Sequence, residues 1–233
     1  MSTKAFTFDM RRLMRDPILR MFMVIPFVAL AAVKLFLMLG EPTLYRMTGF
    51  VLSPYYGYIL AIVLTFSPYI LGAVTAFLMI DERDESIYEL MSVMPIGYTG
   101  YIANRLLIPF SLSIVYTVLS AMLLNIFPLS FWQVTMIALL SGMQGVVVSL
   151  FMFSLADNKV QGLTYSKALN IFVFAAVADL LSLKWLSILS SFIPFYWTSQ
   201  LLIYPVSFVI MAKALLVHTV WLYLGIRLVR NRR

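Results

Sequence analysis

Six runs of about twenty apolar residues, separated by short charged or turn-forming stretches, leave this chain few folds to choose from. A helix needs about 20 consecutive apolar residues to cross a bilayer core. In hydrocarbon every backbone N–H and C=O must be paired internally, which restricts spanning segments to helices and closed barrels. The runs cover residues 21–39, 51–80, 102–124, 131–155, 168–183 and 206–229. The second is long and interrupted by Pro54 and Pro68, and the fifth is short. Residues 184–205 are apolar and aromatic but contain Pro194 and Pro205, the pattern of an external or re-entrant segment rather than a further span. The spacing therefore predicts an all-α integral membrane protein of about six transmembrane helices, one transmembrane domain over residues 1–233. Composition agrees: 62% of the 233 residues are hydrophobic and 12% charged, against about half and about a quarter in soluble domains.

Orientation follows from the basic residues. With the N-terminus inside, Lys4, Arg11, Arg12, Arg15, Arg20, Arg83, Arg105, Lys159, Lys167, Arg227, Arg230, Arg232 and Arg233 face the cytoplasm, and Lys34, Arg46, Lys184 and Lys213 face out. Such a bias places both termini in the cytoplasm and requires an even number of spans. The same placement accounts for the net charge of +7 without a nucleic-acid partner. The first apolar run follows a charged amphipathic stretch and lacks a small-residue cleavage site, so no cleavable leader is expected. The chain has no cysteine and one histidine, His218, which excludes disulfide frameworks, thiolate chemistry and polyhistidine metal sites.

Two segments stand out at the predicted cytoplasmic face. In residues 1–17, Phe6, Met10, Leu13 and Met14 recur at helical spacing with basic residues opposite, as in an interfacial amphipathic helix. Residues 81–98 carry five of the ten carboxylates: Asp81, Glu82, Asp84, Glu85 and Glu89. Ile87, Leu90, Met91 and Met94 form an apolar helical stripe there. Ser86 and Glu89 have capping-box spacing, and Pro95 and Gly97 end the pattern. Cytoplasmic loops are usually basic, so the acidic cluster reads either as a solvated, self-capped turn or as a docking surface for a soluble partner. Composition leaves both open.

The stretch DERDESIYELMSVMPIGYTGYIANRL resembles the segment after the second span in type-2 ABC transporter permeases, within which the drug-export permeases of the fluoroquinolone exporter type are the nearest likeness. The layout is similar too: an N-terminal elbow helix, six spans, a small second cytoplasmic loop at 156–167, and the segment IPFYW at 193–197 before the last span. The resemblance implies that residues 81–98 form a coupling helix that docks on an ATPase, with Glu82, Glu85 and Glu89 as polar contacts and Leu90, Met91 and Met94 as an apolar plug. Asp157 and Lys159 would make a second cytoplasmic contact. This chain lacks a G-x-x-x-x-G-K-[ST] phosphate loop. The resemblance thus implies a separate ABC ATPase subunit holding ATP and Mg, no cofactor on this chain, and a second permease copy as homodimer or paralogous heterodimer in a bacterial cell membrane.

Within the spans, Asp179 and His218 are possible pathway residues, since intramembrane ionisable groups default to functional candidates. Lys184 is near enough in sequence to pair with Asp179 at the interface, and His218 also suits a hydrogen-bonded packing role. Asn125, Gln133, Gln144, Asn170 and Gln200 either line a path or bond between helices. Three function classes follow: the permease half of an ATP-driven exporter of a lipophilic or amphiphilic substrate, an intramembrane lipid-modifying enzyme built on the acidic cluster, and a stand-alone channel or secondary transporter.

Overall fold

The computed structural model describes residues 17–86, 97–205 and 207–232. The predicted elbow helix at 1–17, and Glu89, Leu90, Met91 and Met94, lie outside these residues apart from Pro17. Among the described residues every regular element is helical. Helix α1 (Pro17–Leu35) passes through a π-type turn (Phe36–Gly40) into α2 (Glu41–Thr48). Helix α3 is Tyr56–Asp84, α4 is Gly97–Leu124 and α5 is Phe131–Leu155. Helix α6 (Lys159–Asn170) tightens into a 3-10 segment (Ile171–Leu181). Two short helices, α7 (Lys184–Ser190) and α8 (Pro194–Ile203), precede α9 (Phe208–Asn231).

Six stretches are long and apolar enough to cross a membrane: Met23–Thr48, Ser53–Asp84, Gly97–Leu124, Phe131–Leu155, Lys159–Leu181 and Phe208–Asn231. These are the six sequence runs with altered ends, and the alterations have local causes. The first run continues through the π-type turn, where the helix absorbs an extra residue per turn, and ends only at Gly49, whose left-handed φ of 70° closes α2. The second continues through Asp81 and Glu82 to Asp84, so the start of the acidic cluster is part of the span's own helix. The loop expected at 156–167 is confined to Ala156–Asn158, because Asn158 Oδ1 accepts the Gln161 N–H at 3.0 Å and starts a helix at Lys159. Residues 184–205 form α7 and α8, which meet at 115° in the manner of a broken or re-entrant element. Pro194 stands at the N1 position of α8, where its missing N–H is not needed.

Helices α3 and α5 make the centre. Both are buried along most of their length, while α1 and α9 expose apolar side chains outward. Helix α4 packs antiparallel to both, and α8 is buried between the 3-10 segment, α3, α5 and α9. Small residues permit the closest approach. A Cβ on Gly72 would lie 2.5 Å from the Gly145 carbonyl oxygen, and one on Gly145 would lie 2.8 Å from Ser113 Oγ. The Ser149 hydroxyl donates to the Gly72 carbonyl at 2.9 Å across the same contact. Because backbone rather than a flexible side chain blocks the space, Gly72→Ala forces α3 and α5 apart. Overpacking of about 1–3 kcal/mol exceeds the propensity gained by removing a helical glycine. We expect a lower melting temperature for the variant in detergent; an unchanged or higher one would show that the two helices separate without strain.

Candidate functional site

At one end of the bundle, the last turn of α3 and the first turns of α4 are joined by a buried charge clasp. Glu82 is 0% exposed. The Arg105 guanidinium donates to both of its oxygens, Nε to Oε2 at 2.9 Å and Nη2 to Oε1 at 2.5 Å. The Tyr101 hydroxyl donates to Oε2 at 2.5 Å. Tyr101 and Arg105 are four residues apart on α4 and so share a face, with the guanidinium 5.5 Å from the Tyr101 ring centre. A two-point arginine–carboxylate fork fixes orientation as well as distance. The expectation that Glu82 docks on a soluble partner is therefore corrected: its carboxylate has no surface to offer and instead ties together the two helices that flank residues 87–96. Glu85 and Asp84 are exposed at the helix end.

The same end carries a second set of charges around the C-terminus of α5, where carbonyls without helical partners attract cations. Arg83 Nη2 donates to the Ala156 carbonyl at 2.6 Å, and Arg232 Nη1 to the same oxygen at 2.7 Å. Arg83 also lies 5.1 Å from the Phe153 ring centre. Arg232 pairs with Asp157, and Lys159 pairs with Asp81 at 2.8 Å. Asp157 and Lys159 are exposed and are engaged by neighbouring helices of this chain.

Deeper in the bundle, α5, α8 and α9 meet at a buried polar node. His218 Nδ1 donates to the Ala214 carbonyl at 2.7 Å, which leaves Nε2 to accept the Gln144 amide at 3.1 Å. Gln144 Nε2 also reaches Thr198 Oγ1 at 2.9 Å. His218 is thus a buried link between α5 and α9. Beside it runs a polar seam. The hydroxyls of Ser67 on α3, Ser113 and Thr117 on α4, and Ser141 on α5, with Gln144 Oε1, are buried and have no hydrogen-bond partner among the described residues. Ser113 faces Gly145; in antiparallel register, Thr117 one turn along α4 then faces Ser141 one turn back along α5. Buried polar atoms are normally paired, so this strip between α3, α4 and α5 is the part of the core that its packing satisfies least.

At the opposite end, Asp179 in the 3-10 segment accepts from Tyr196 Oη at 3.1 Å to each oxygen and from Gln200 Nε2 at 2.6 Å. Tyr196 and Gln200 are four apart on α8. The pairing of Asp179 with Lys184 expected from their proximity in sequence gives way to these neutral donors. Gln133, another polar residue of the spans, closes a capping box with Ser130 and donates to the Leu201 carbonyl at 3.1 Å. Among the described residues no three His, Cys, Asp or Glu side chains group as metal ligands.

No solved structure matches this chain. Two curated relatives do, each 30% identical over 198 residues that cover 82% of this chain and 77% of the relative: the fluoroquinolones export permease proteins MT2760 and Rv2686c from the CDC 1551 / Oshkosh and H37Rv strains of Mycobacterium tuberculosis. The model of the family described as "Fluoroquinolones export permease protein Rv2686c-like" matches residues 9–229, which takes in the first five spans, all but the last two residues of the sixth, the buried clasp and the bent helix pair α7 and α8. A match that runs through every element of the bundle fixes the relationship: the chain belongs to the Rv2686c-like fluoroquinolones export permease family, and it is a multi-pass membrane permease.

Proposed function

We propose that this permease is the membrane-spanning half of an ATP-driven exporter of the type-2 ABC class, moving a lipophilic or amphiphilic substrate out of a bacterial cytoplasm. ATP and Mg would be held by a separate ATPase subunit. A second permease copy, identical or paralogous, would complete the pathway. The relatives are named for fluoroquinolone export, and a planar, drug-sized amphiphile is the substrate class we assign.

The observation that carries the proposal is the Glu82–Arg105–Tyr101 clasp. It locks the ends of α3 and α4 into one unit immediately on either side of residues 87–96. A docking segment is useful only if a push on it reaches the spans. A bidentate buried ion pair is stiff enough to pass a displacement of that segment to both helices at once. Residues Glu85, Glu89, Leu90, Met91 and Met94 would then meet the ATPase, with Asp157 and Lys159 as a smaller second contact. The polar seam supports the same reading. Parting α4 from α3 and α5 would expose Ser67, Ser113, Thr117 and Ser141 to whatever enters between them, in a two-state rearrangement of packed helices. The bias of basic residues supports a reading in which this end of the bundle, and both termini, face the cytoplasmic side of the cell membrane.

The test is co-purification from native membranes, with the associated proteins identified by mass spectrometry, followed by reconstitution. The expected result is a phosphate-loop ATPase in stoichiometric amount and vesicle transport of a fluoroquinolone that requires both ATP and that subunit. Transport by the lone chain without ATP would replace this reading with a secondary transporter.

A further inference from the structure

We propose that the groove beside the start of α1 is a binding site for one anionic phospholipid, with Arg20 holding its phosphate and the apolar stripe beyond Arg20 holding an acyl chain. An open groove of about 570 Å³ lies between α1 and Phe66 of α3. Met21, Val24, Val28 and Ala32 line it from α1, at the three- and four-residue spacing that puts side chains on one face of a helix. The one charged residue of the lining is Arg20, at the end where the chain enters the helix. It is exposed, and among the described residues no carboxylate pairs with it. At the other end Ala29 and Ala32 have little side chain to fill the space. The spanning stretch of this helix begins at Met23. Arg20 stands just before it, where a long basic side chain reaches the headgroup layer.

Length and charge together name the occupant. From Arg20 to Ala32 the helix rises about 18 Å, and one leaflet of the hydrocarbon core is about 15 Å deep. The groove therefore runs from a headgroup plane to the middle of the bilayer within a single leaflet, which is the course of an acyl chain. The sequence before the span adds to the positive charge at that plane: residues 1–20 contain Lys4, Arg11, Arg12, Arg15 and Arg20 against Asp9 and Asp16. Basic clusters that adjoin a span select anionic lipids. A zwitterionic lipid carries its own cation beside the phosphate and gains less from Arg20. Free inorganic phosphate would use the charge and forgo the apolar stripe. The lipid comes from the leaflet in which α1 begins, the cytoplasmic one in the orientation proposed above.

The purified chain in detergent is titrated with phosphatidylglycerol and with phosphatidylcholine of identical acyl chains, bound lipid being counted by native mass spectrometry. Wild type is expected to bind one phosphatidylglycerol about fivefold more tightly than phosphatidylcholine, the preference that one basic side chain confers at an anionic headgroup. Arg20→Gln is expected to remove most of that preference at an unchanged melting temperature. Ala32→Phe, which fills the deep end and leaves the charge in place, is expected to weaken both lipids several-fold. Equal binding of the two lipids by wild type, or a preference that survives Arg20→Gln, overturns the site. So does an equal loss in Arg227→Gln, a change at an exposed arginine outside the groove, or displacement of the lipid by inorganic phosphate. Because the chain has no cysteine, Val28→Cys tests the other occupant: rapid disulfide formation between copies in native membranes would put a second copy in the groove and overturn the proposal. These measurements need no ATPase. Their failure leaves the exporter reading standing, and a failure to find an ATPase partner leaves the lipid result standing.

Discussion

Arg105→Met is expected to destabilise the protein by about 3–5 kcal/mol, the loss seen when one partner is removed from a buried ion pair. The variant leaves the Glu82 carboxylate inside the bundle with its fork of two guanidinium hydrogen bonds gone. Met fills much of the volume of the arginine stem, so the loss is electrostatic rather than a cavity effect. Two further variants separate the contributions. Arg105→Lys keeps the charge but replaces the planar fork by a point donor, and recovers only part of the stability. Glu82→Leu combined with Arg105→Met removes both charges and is expected to regain most of it, because a buried pair stabilises little compared with a well-packed apolar replacement. Unfolding of detergent-solubilised protein followed by circular dichroism distinguishes these outcomes. A melting temperature for Arg105→Met equal to that of wild type would show that Glu82 reaches water in solution, and the clasp would lose its role as a link between α3 and α4.

The spans were legible in the sequence because bilayer thickness demands long apolar runs, and all six runs correspond to spanning helices. What was not legible depends on contacts distant in sequence. Glu82 reads as a surface acid within DERDE; the residue that buries it, Arg105, lies in the next span. A signal was present in that Tyr101 and Arg105 stand four apart at the start of an apolar run, an arrangement that needs an anion facing it. Sequence proximity sets Asp179 beside Lys184, yet the chain turns at Ser182, with a left-handed φ of 53°, and α8 supplies the partners instead. His218 is satisfied by Gln144, 74 residues earlier, which no local pattern reveals. The 184–205 segment was recognisable as irregular from Pro194 and Pro205, but the 115° fold-back of α8 into the core depends on packing from four directions.

Glu89→Lys is expected to abolish the stimulation of ATPase activity by substrate, a loss of tenfold or more, while membrane insertion and melting temperature stay as in wild type. The prediction comes from the apolar stripe Ile87, Leu90, Met91 and Met94 with Glu89 beside it. A groove on a soluble ATPase that accepts the stripe and the acid would meet an ammonium of opposite sign in the variant, and like-charge juxtaposition at an interface costs several kcal/mol. Folding escapes because residue 89 lies between the spans that end at Asp84 and begin at Gly97, where a lysine meets no insertion penalty. The comparison with Arg105→Met makes the test mechanistic. If residues 85–94 are the handle and the clasp is the linkage, Glu89→Lys uncouples a stable permease, whereas Arg105→Met weakens stability and coupling together. A charge reversal on the ATPase groove should restore stimulation to Glu89→Lys and do nothing for Arg105→Met, since only the first variant is broken at the contact itself. Full stimulation in Glu89→Lys would move the docking surface elsewhere, with Asp157 and Lys159 as the next pair to reverse.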